Sequence, residues 1–158
     1  MTQDVIQIKG GTKVTISQLN KYIHTVQYYE TDKMGITHHS NYIRWMEEAR
    51  VDFLNQIGWS FDKLESLGIV SPVLNVTCDY KISTSFAEKI AINVGVKEFK
   101  GVKLFLTYEM TNSDGKTVCT GVTSHAFLNN QGRSIRLKQD YPEFYQCLMQ
   151  LLAAHIKI

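Results

Sequence analysis

The sequence predicts an α+β domain in which one long helix packs on a curved antiparallel sheet. Three observations lead there. Apolar residues recur at spacings of three and four between residues 40 and 57. Four later segments alternate apolar and polar residues with period two, and short glycine-bearing turns separate the last three. A chain of 158 residues suits one domain with a core of its own.

Residues 1–18 are polar and glycine-containing, so they are expected as an N-terminal extension outside the core, with residues 19–158 forming the single domain. Tyr22, Ile23, Val26, Tyr28 and Tyr29 favour a strand over residues 21–30. A loop over 31–37 then leads into the main helix. Tyr42, Trp45, Met46, Ala49, Phe53 and Ile57 form its apolar stripe. Arg44 with Glu48 and Glu47 with Arg50 are placed to pair along the other side. Ser40 or Asn41 is a candidate cap, and Gly58 stands where the helix should stop. A short second helix is expected over 60–67, ending at Gly68.

The strands follow. Leu74, Val76, Cys78, Tyr80 and Ile82 alternate with polar neighbours, and Ile90, Ile92, Val94 and Val96 do the same. So do Val102, Leu104, Leu106, Tyr108 and Met110, then Val118, Thr120, Val122, Ser124, Ala126 and Leu128. Such alternation turns one face to a core. The turns at 99–101 and 112–115 are short enough for antiparallel hairpins. Residues 141–156 are expected as a last amphipathic helix. A single sheet of this kind has edges that must be blunted or paired, and self-association is a natural solution.

Composition narrows the functional classes. The chain is 44% apolar and 20% charged, with a net charge of +2 and scattered lysines, so nucleic-acid binding has no basic stripe to rest on. No apolar run approaches a membrane span, and no basic-then-apolar leader opens the chain. Cys78, Cys119 and Cys147 are an odd, dispersed set without a CxxC pair. A disulfide framework is not expected, and a cytoplasmic location is.

The chemistry concentrates in residues 27–42, where Asp32, Gly35, His38, His39, Asn41 and Tyr42 fall in the loop and first turn of the main helix. Free N–H groups at a helix start attract negative charge. A base or nucleophile beside such an oxyanion site is what acyl transfer needs. Adjacent His38 and His39 diverge in direction near a helix start, so a metal site is not expected. His24 and His125 fall in predicted strands and read as structural residues.

This segment resembles the hotdog-fold thioesterases of the 4-hydroxybenzoyl-CoA thioesterase and Tol-Pal-associated type. Tyr29, Asp32, Gly35, Asn41 and Tyr42 match their signature, and Trp45, Glu48 and Arg50 follow as in many members. The chain departs at His38, where relatives commonly carry an aromatic residue, and in the polar residues 1–18. The resemblance covers about residues 20–130. It implies a hotdog fold with the helix over 40–57 wrapped by the sheet, and thioester hydrolysis with Asp32 as nucleophile or general base.

It also implies the backbone N–H of His39 as oxyanion donor, the His39 imidazole as an orienting group, and Gly35, His38, Asn41 and Tyr42 around the substrate. The substrate would be an acyl-CoA or an acyl carrier protein thioester, and the assembly a homodimer or homotetramer. No cofactor is implied, coenzyme A being part of the substrate. Competing readings are a hotdog hydratase acting on enoyl or hydroxyacyl thioesters and a non-catalytic acyl-thioester-binding protein. The proline-containing Asp/His motif of such hydratases is absent.

Overall fold

A computed structural model describes residues 5–7 and 13–156, the side chains of residues 7, 155 and 156 excepted. Five antiparallel strands form the main sheet in the order β3-β5-β6-β7-β4, and β1 (Val5–Gln7) pairs with β2 (Lys13–Thr15) in a separate ribbon. The strands of the main sheet are β3 (Tyr22–Thr25), β4 (Val73–Tyr80), β5 (Lys89–Phe99), β6 (Lys103–Thr111) and β7 (Thr117–Ala126). The helices are α1 (Ser40–Gln56), α2 (Phe61–Ser66), α3 (Leu137–Asp140) and α4 (Pro142–Ile156). Between β3 and β4 the chain crosses from one edge of the sheet to the other, and α1 makes that crossing.

All six residues of the expected stripe on α1, Tyr42 through Ile57, are buried. They meet Ile90, Ile92, Leu104, Leu106, Tyr108 and Met110 from β5 and β6 in one core. Period-two burial along β6 is what an amphipathic strand under a helix requires. Gly58, at φ +79°, ends α1 in the left-handed region where a Cβ would be penalised. Beyond it, Trp59 stacks on Phe144 of α4 with ring centroids 4.7 Å apart, and Phe144 meets Phe127 edge-on. Thus α4 closes the end of the core remote from the start of α1.

The expected faces of the strands hold for β5 and β6 but are reversed in β7. There Cys119, Gly121, Thr123 and His125 stand on the face shared with Leu104, Leu106, Tyr108 and Met110, because the register pairs them directly. The apolar Val118 and Val122 lie in the opposite phase, where Val118 is buried in the core as expected and Val122 only partly so. Gly121 is needed where Met46 of α1 descends onto the strand: a Cβ there would meet Met46 Cε, and Thr77 O at 3.0 Å. Thr123 and His125 are tolerated inside because they are hydrogen-bonded.

That bonding involves Arg50, which does not pair with Glu47 as expected. Its side chain is buried, and Nη1 lies 3.0 Å from His125 Nδ1. His125 Nε2 lies 2.7 Å from Thr123 Oγ1, which lies 2.9 Å from the Tyr108 hydroxyl. Burial, with the Arg50 charge beside it, pushes His125 down to about 3, so the ring is neutral and its Nδ1 accepts from the guanidinium. The Phe61 ring lies 5.0 Å from the guanidinium carbon and adds a cation–π contact.

Four further expectations are corrected. The strand over 21–30 stops at Thr25, and Tyr28–Glu30 form a 3-10 turn that leaves Tyr28 and Tyr29 exposed. Neither Ser40 nor Asn41 caps α1: the cap position is His39, without a side-chain cap bond. Glu48 does not pair with Arg44 but accepts from the Tyr22 hydroxyl and meets His24. Of the segment expected outside the core, Ile6 is fully buried in it. Residues 1–4 and 8–12 of that segment, and 157–158 at the other end of the expected domain, lie outside the described residues.

Two outcomes follow from this packing. Gly121→Ala should lower the unfolding free energy by about 1–3 kcal/mol, the usual cost of overpacking, read as a drop in the denaturation midpoint. The second concerns acid. Unfolded His125 takes up a proton near its ordinary value of 6.5, whereas the folded ring resists until about 3. The stability this represents is therefore present above pH 6.5 and drains away as the pH falls towards 3. Between pH 6 and 4 a His125→Gln variant should lose stability less steeply than the parent, by up to about 1.4 kcal/mol per pH unit. Parallel slopes in chemical denaturation would refute the assignment.

Candidate active site

The loop between Thr31 and His39 is built around Asp32. Thr31 and Thr37 form an isolated antiparallel bridge, the Asp32 amide donates to Ile36 O at 2.9 Å, and Gly35 N donates to Asp32 O at 3.0 Å. This tight turn needs a residue of positive φ, and Gly35 supplies it at +76°. Met34 N donates to Asp32 Oδ1 at 2.8 Å and fixes the carboxylate from the loop side. Its other oxygen has no protein partner among the described residues, which leaves it available to a reacting group.

Asp32, His39 and Tyr42 line one pocket of about 290 Å³ together with Ile36, Tyr80 and Ile82. Three of the predicted site residues thus converge. Tyr80 reaches from the edge strand β4 to the helix start, its hydroxyl donating to His39 O at 2.9 Å. Its ring meets Tyr42 edge-on at 5.2 Å and His39 at 6.3 Å, giving the pocket an aromatic wall. Burial, then the Cys78 thiol beside it, push the Tyr80 hydroxyl up, so it remains a neutral donor. Beneath, Thr37 Oγ1 lies 2.6 Å from Thr84 Oγ1, which lies 2.9 Å from the Tyr42 hydroxyl.

Gly35, His38 and Asn41 do not line this pocket. Gly35 shapes the turn. The exposed His38 ring lies tilted against His39, with centroids 4.2 Å apart, and its Nδ1 is 2.8 Å from Ser40 Oγ. Asn41 Nδ2 donates to Glu30 O at 3.0 Å and to His38 O at 3.3 Å, tying the helix start to the preceding turn. The His39 imidazole makes no hydrogen bond to Asp32 among the described residues. It flanks the pocket as a ring, and the His39 amide stands at the start of α1, where N–H groups lack intrahelical partners.

Tyr80, Thr37 and Thr84 join the site without any local sequence signal for it. Tyr80 was legible as a strand residue, but nothing in a one-dimensional pattern says that an edge strand ends beside a helix 38 residues earlier. A larger depression of about 640 Å³ lies on the outer side of α1, but Glu47, Glu48 and Asp52 line it against Arg44 alone. That charge disfavours an anionic ligand. No cluster of three metal-ligating side chains occurs among the described residues, and no helix among them is long and apolar enough to cross a membrane.

With this geometry in place, comparison with known proteins defines the class. A family model described as the Thioesterase-like superfamily matches residues 26–152, and the chain belongs to that superfamily. It is 27% identical over 121 residues to "Putative acyl-CoA thioesterase YneP" of Bacillus subtilis, covering 76% of this chain and 88% of that protein. The crystal structure of a DHNA-CoA thioesterase from Staphylococcus aureus superposes with a TM-score of 0.82 at 29% identity, over 87% of this chain and 93% of that one. A hypothetical protein from Aquifex aeolicus superposes at 0.74 with 31% identity, over 80% and 97%. The expected α+β hotdog fold is the one observed.

Proposed function

We propose that this chain hydrolyses acyl-coenzyme A thioesters in the Asp32 pocket, releasing a free acid and the thiol. The observation that carries the reading is the convergence of Asp32 and the first turn of α1 on one aromatic-walled cavity. The names of the Bacillus and Staphylococcus relatives support the substrate class. Asp32 acts either by attacking the thioester carbonyl, giving a mixed anhydride that water then cleaves, or by taking a proton from the attacking water. Both routes place negative charge on the former carbonyl oxygen.

The His39 amide is the donor assigned to that oxygen, and one such donor is worth about 2.7–4 kcal/mol in the transition state. The His39 ring serves as wall rather than as a partner of Asp32. No cofactor enters this mechanism. The acyl carrier is coenzyme A by analogy with the relatives, with an acyl carrier protein thioester as the other arm of a substrate panel. A cytoplasmic location belongs to the same proposal, resting on the cysteines being free thiols, Cys78 and Cys119 included although their Sγ atoms lie 3.3 Å apart.

A homodimer belongs to it as well. Val73, Leu74 and Tyr80 of the edge strand β4, and Ile82 just after it, are large apolar side chains left between 41% and 49% exposed. An edge of that kind invites pairing with a copy of itself. Pairing of dimers would give the homotetramer.

Asp32→Asn preserves an acceptor for the Met34 amide while removing the nucleophile and base. Thiol release from short, long and aromatic acyl-CoAs should therefore fall by about 10²–10⁴ in a variant that melts like the parent. Equal turnover by parent and variant would sink the mechanism, and light scattering at a monomer mass would sink the dimer.

A further inference from the structure

Glu30 is a carboxylate in an unexpected place. It lies two residues before Asp32, yet it is only 4% exposed. Its Oε1 accepts from the Gln27 amide at 2.8 Å and lies 2.8 Å from His24 Nε2. Its Oε2 accepts from the Trp45 indole N–H at 2.6 Å. Its main-chain oxygen accepts from His38 N at 2.8 Å and from Asn41 Nδ2 at 3.0 Å. One residue thus gathers bonds from the turn after β3, from β3 itself, from the second turn of α1, and from both sides of the His39 cap position.

The network continues outward. His24 Nδ1 lies 2.9 Å from Glu48 Oε2, which also accepts from the Tyr22 hydroxyl at 2.9 Å. The His24 ring packs on Trp45 with centroids 4.5 Å apart. Strand β3 and helix α1 are thereby fixed to each other through Glu30, and the loop carrying Asp32 is strung between them. Burial by itself would raise the Glu30 carboxyl, but the Gln27 amide, His24 and the Trp45 indole outweigh it and hold it below the ordinary carboxylate range. A buried carboxylate kept ionised in this way has few positions open to it, because each unmade bond leaves a desolvated charge.

We infer that Glu30 is a positioning residue of the hydrolytic site: its buried carboxylate sets the distance between the Asp32 carboxylate and the His39 amide. Glu30 touches no substrate and acts through those two groups. The inference rests on the thioesterase reading for its kinetic consequence, and on geometry alone for its structural one.

The structural arm needs no activity. In Glu30→Gln, amide hydrogen exchange at Met34 and His38 should accelerate by about 10-fold or more, while Leu106 and Thr123 in the sheet keep their protection. The kinetic arm uses the acyl-CoA that the parent turns over best. There kcat should fall by about 100-fold, the cost of a roughly 1 Å misplacement, with KM within about 2-fold. Introduced into Asp32→Asn, the same substitution should cost less than it does in the parent, because one of the two groups through which it acts is already removed.

Unchanged loop exchange, exchange that rises equally throughout the sheet, or a full additional loss in the Asp32→Asn background would each overturn the inference. Should Glu30→Gln fail to fold, Trp45→Phe removes one donor while keeping a ring in the core. It must then show the same loop-selective exchange and a smaller fall in kcat, and the absence of both overturns the inference. A parent inactive on every acyl-CoA would defeat the thioesterase reading, while the exchange experiment still decides the role of Glu30.

Discussion

Helix α1 lies so close to the sheet that Met46 settles onto β7 at the one position without a side chain, Gly121. Much else follows from that approach. At its first turn the helix meets the end of β4, where the Tyr80 hydroxyl donates to the carbonyl of His39. The cavity between Asp32, Tyr42 and Tyr80 is the space left where the helix start, the loop and the edge strand meet. A larger residue at 121 would displace the end of the Met46 side chain and crowd the Thr77 carbonyl of β4, the strand that also carries Tyr80.

Two buried polar systems flank α1, and they solve the same problem in different ways. Near the site, Glu30 is surrounded by donors, so its charge is compensated locally. Further along the helix, Arg50 is buried against a neutral imidazole and an aromatic face, with the Thr123 and Tyr108 hydroxyls completing the chain. Each system joins the helix to a strand by directional bonds, where apolar packing alone would permit sliding. Apolar contact supplies the bulk of the stabilisation, and these bonds supply the register.

The architecture was legible because α1 and the strands carry strong periodic signals. The stripe from Tyr42 to Ile57, the alternation along β5 and β6, and the stops at Gly58 and Gly68 each read through to the structure. Asp32, His39 and Tyr42 were legible because local spacing places them around one helix start. Strand β7 misled because its inward residues are Cys119, Gly121, Thr123 and His125. A rule that counts apolar residues selects the other phase, and only the partners of those groups show why they lie inside. Arg50 misled for the same reason: a cation on a helix reads as surface until its acceptor, 75 residues later, is known. Tyr80 and Thr84 joined the site through contacts more than 40 residues apart in the chain, which no local pattern encodes.

The chain has two tryptophans, and the fold places them at opposite ends of the core. Trp45 is hydrogen-bonded to the Glu30 carboxylate, within the assembly that carries the Asp32 loop. Trp59 is stacked on Phe144 beneath the C-terminal helix, with the Lys63 ammonium 3.6 Å from its ring centroid. The two indoles therefore sit in electrically different surroundings and belong to different packing units. Intrinsic fluorescence of this protein is a two-channel signal, in which disturbance of the loop and release of α4 carry separate spectral signatures, each readable once the other fluorophore is replaced.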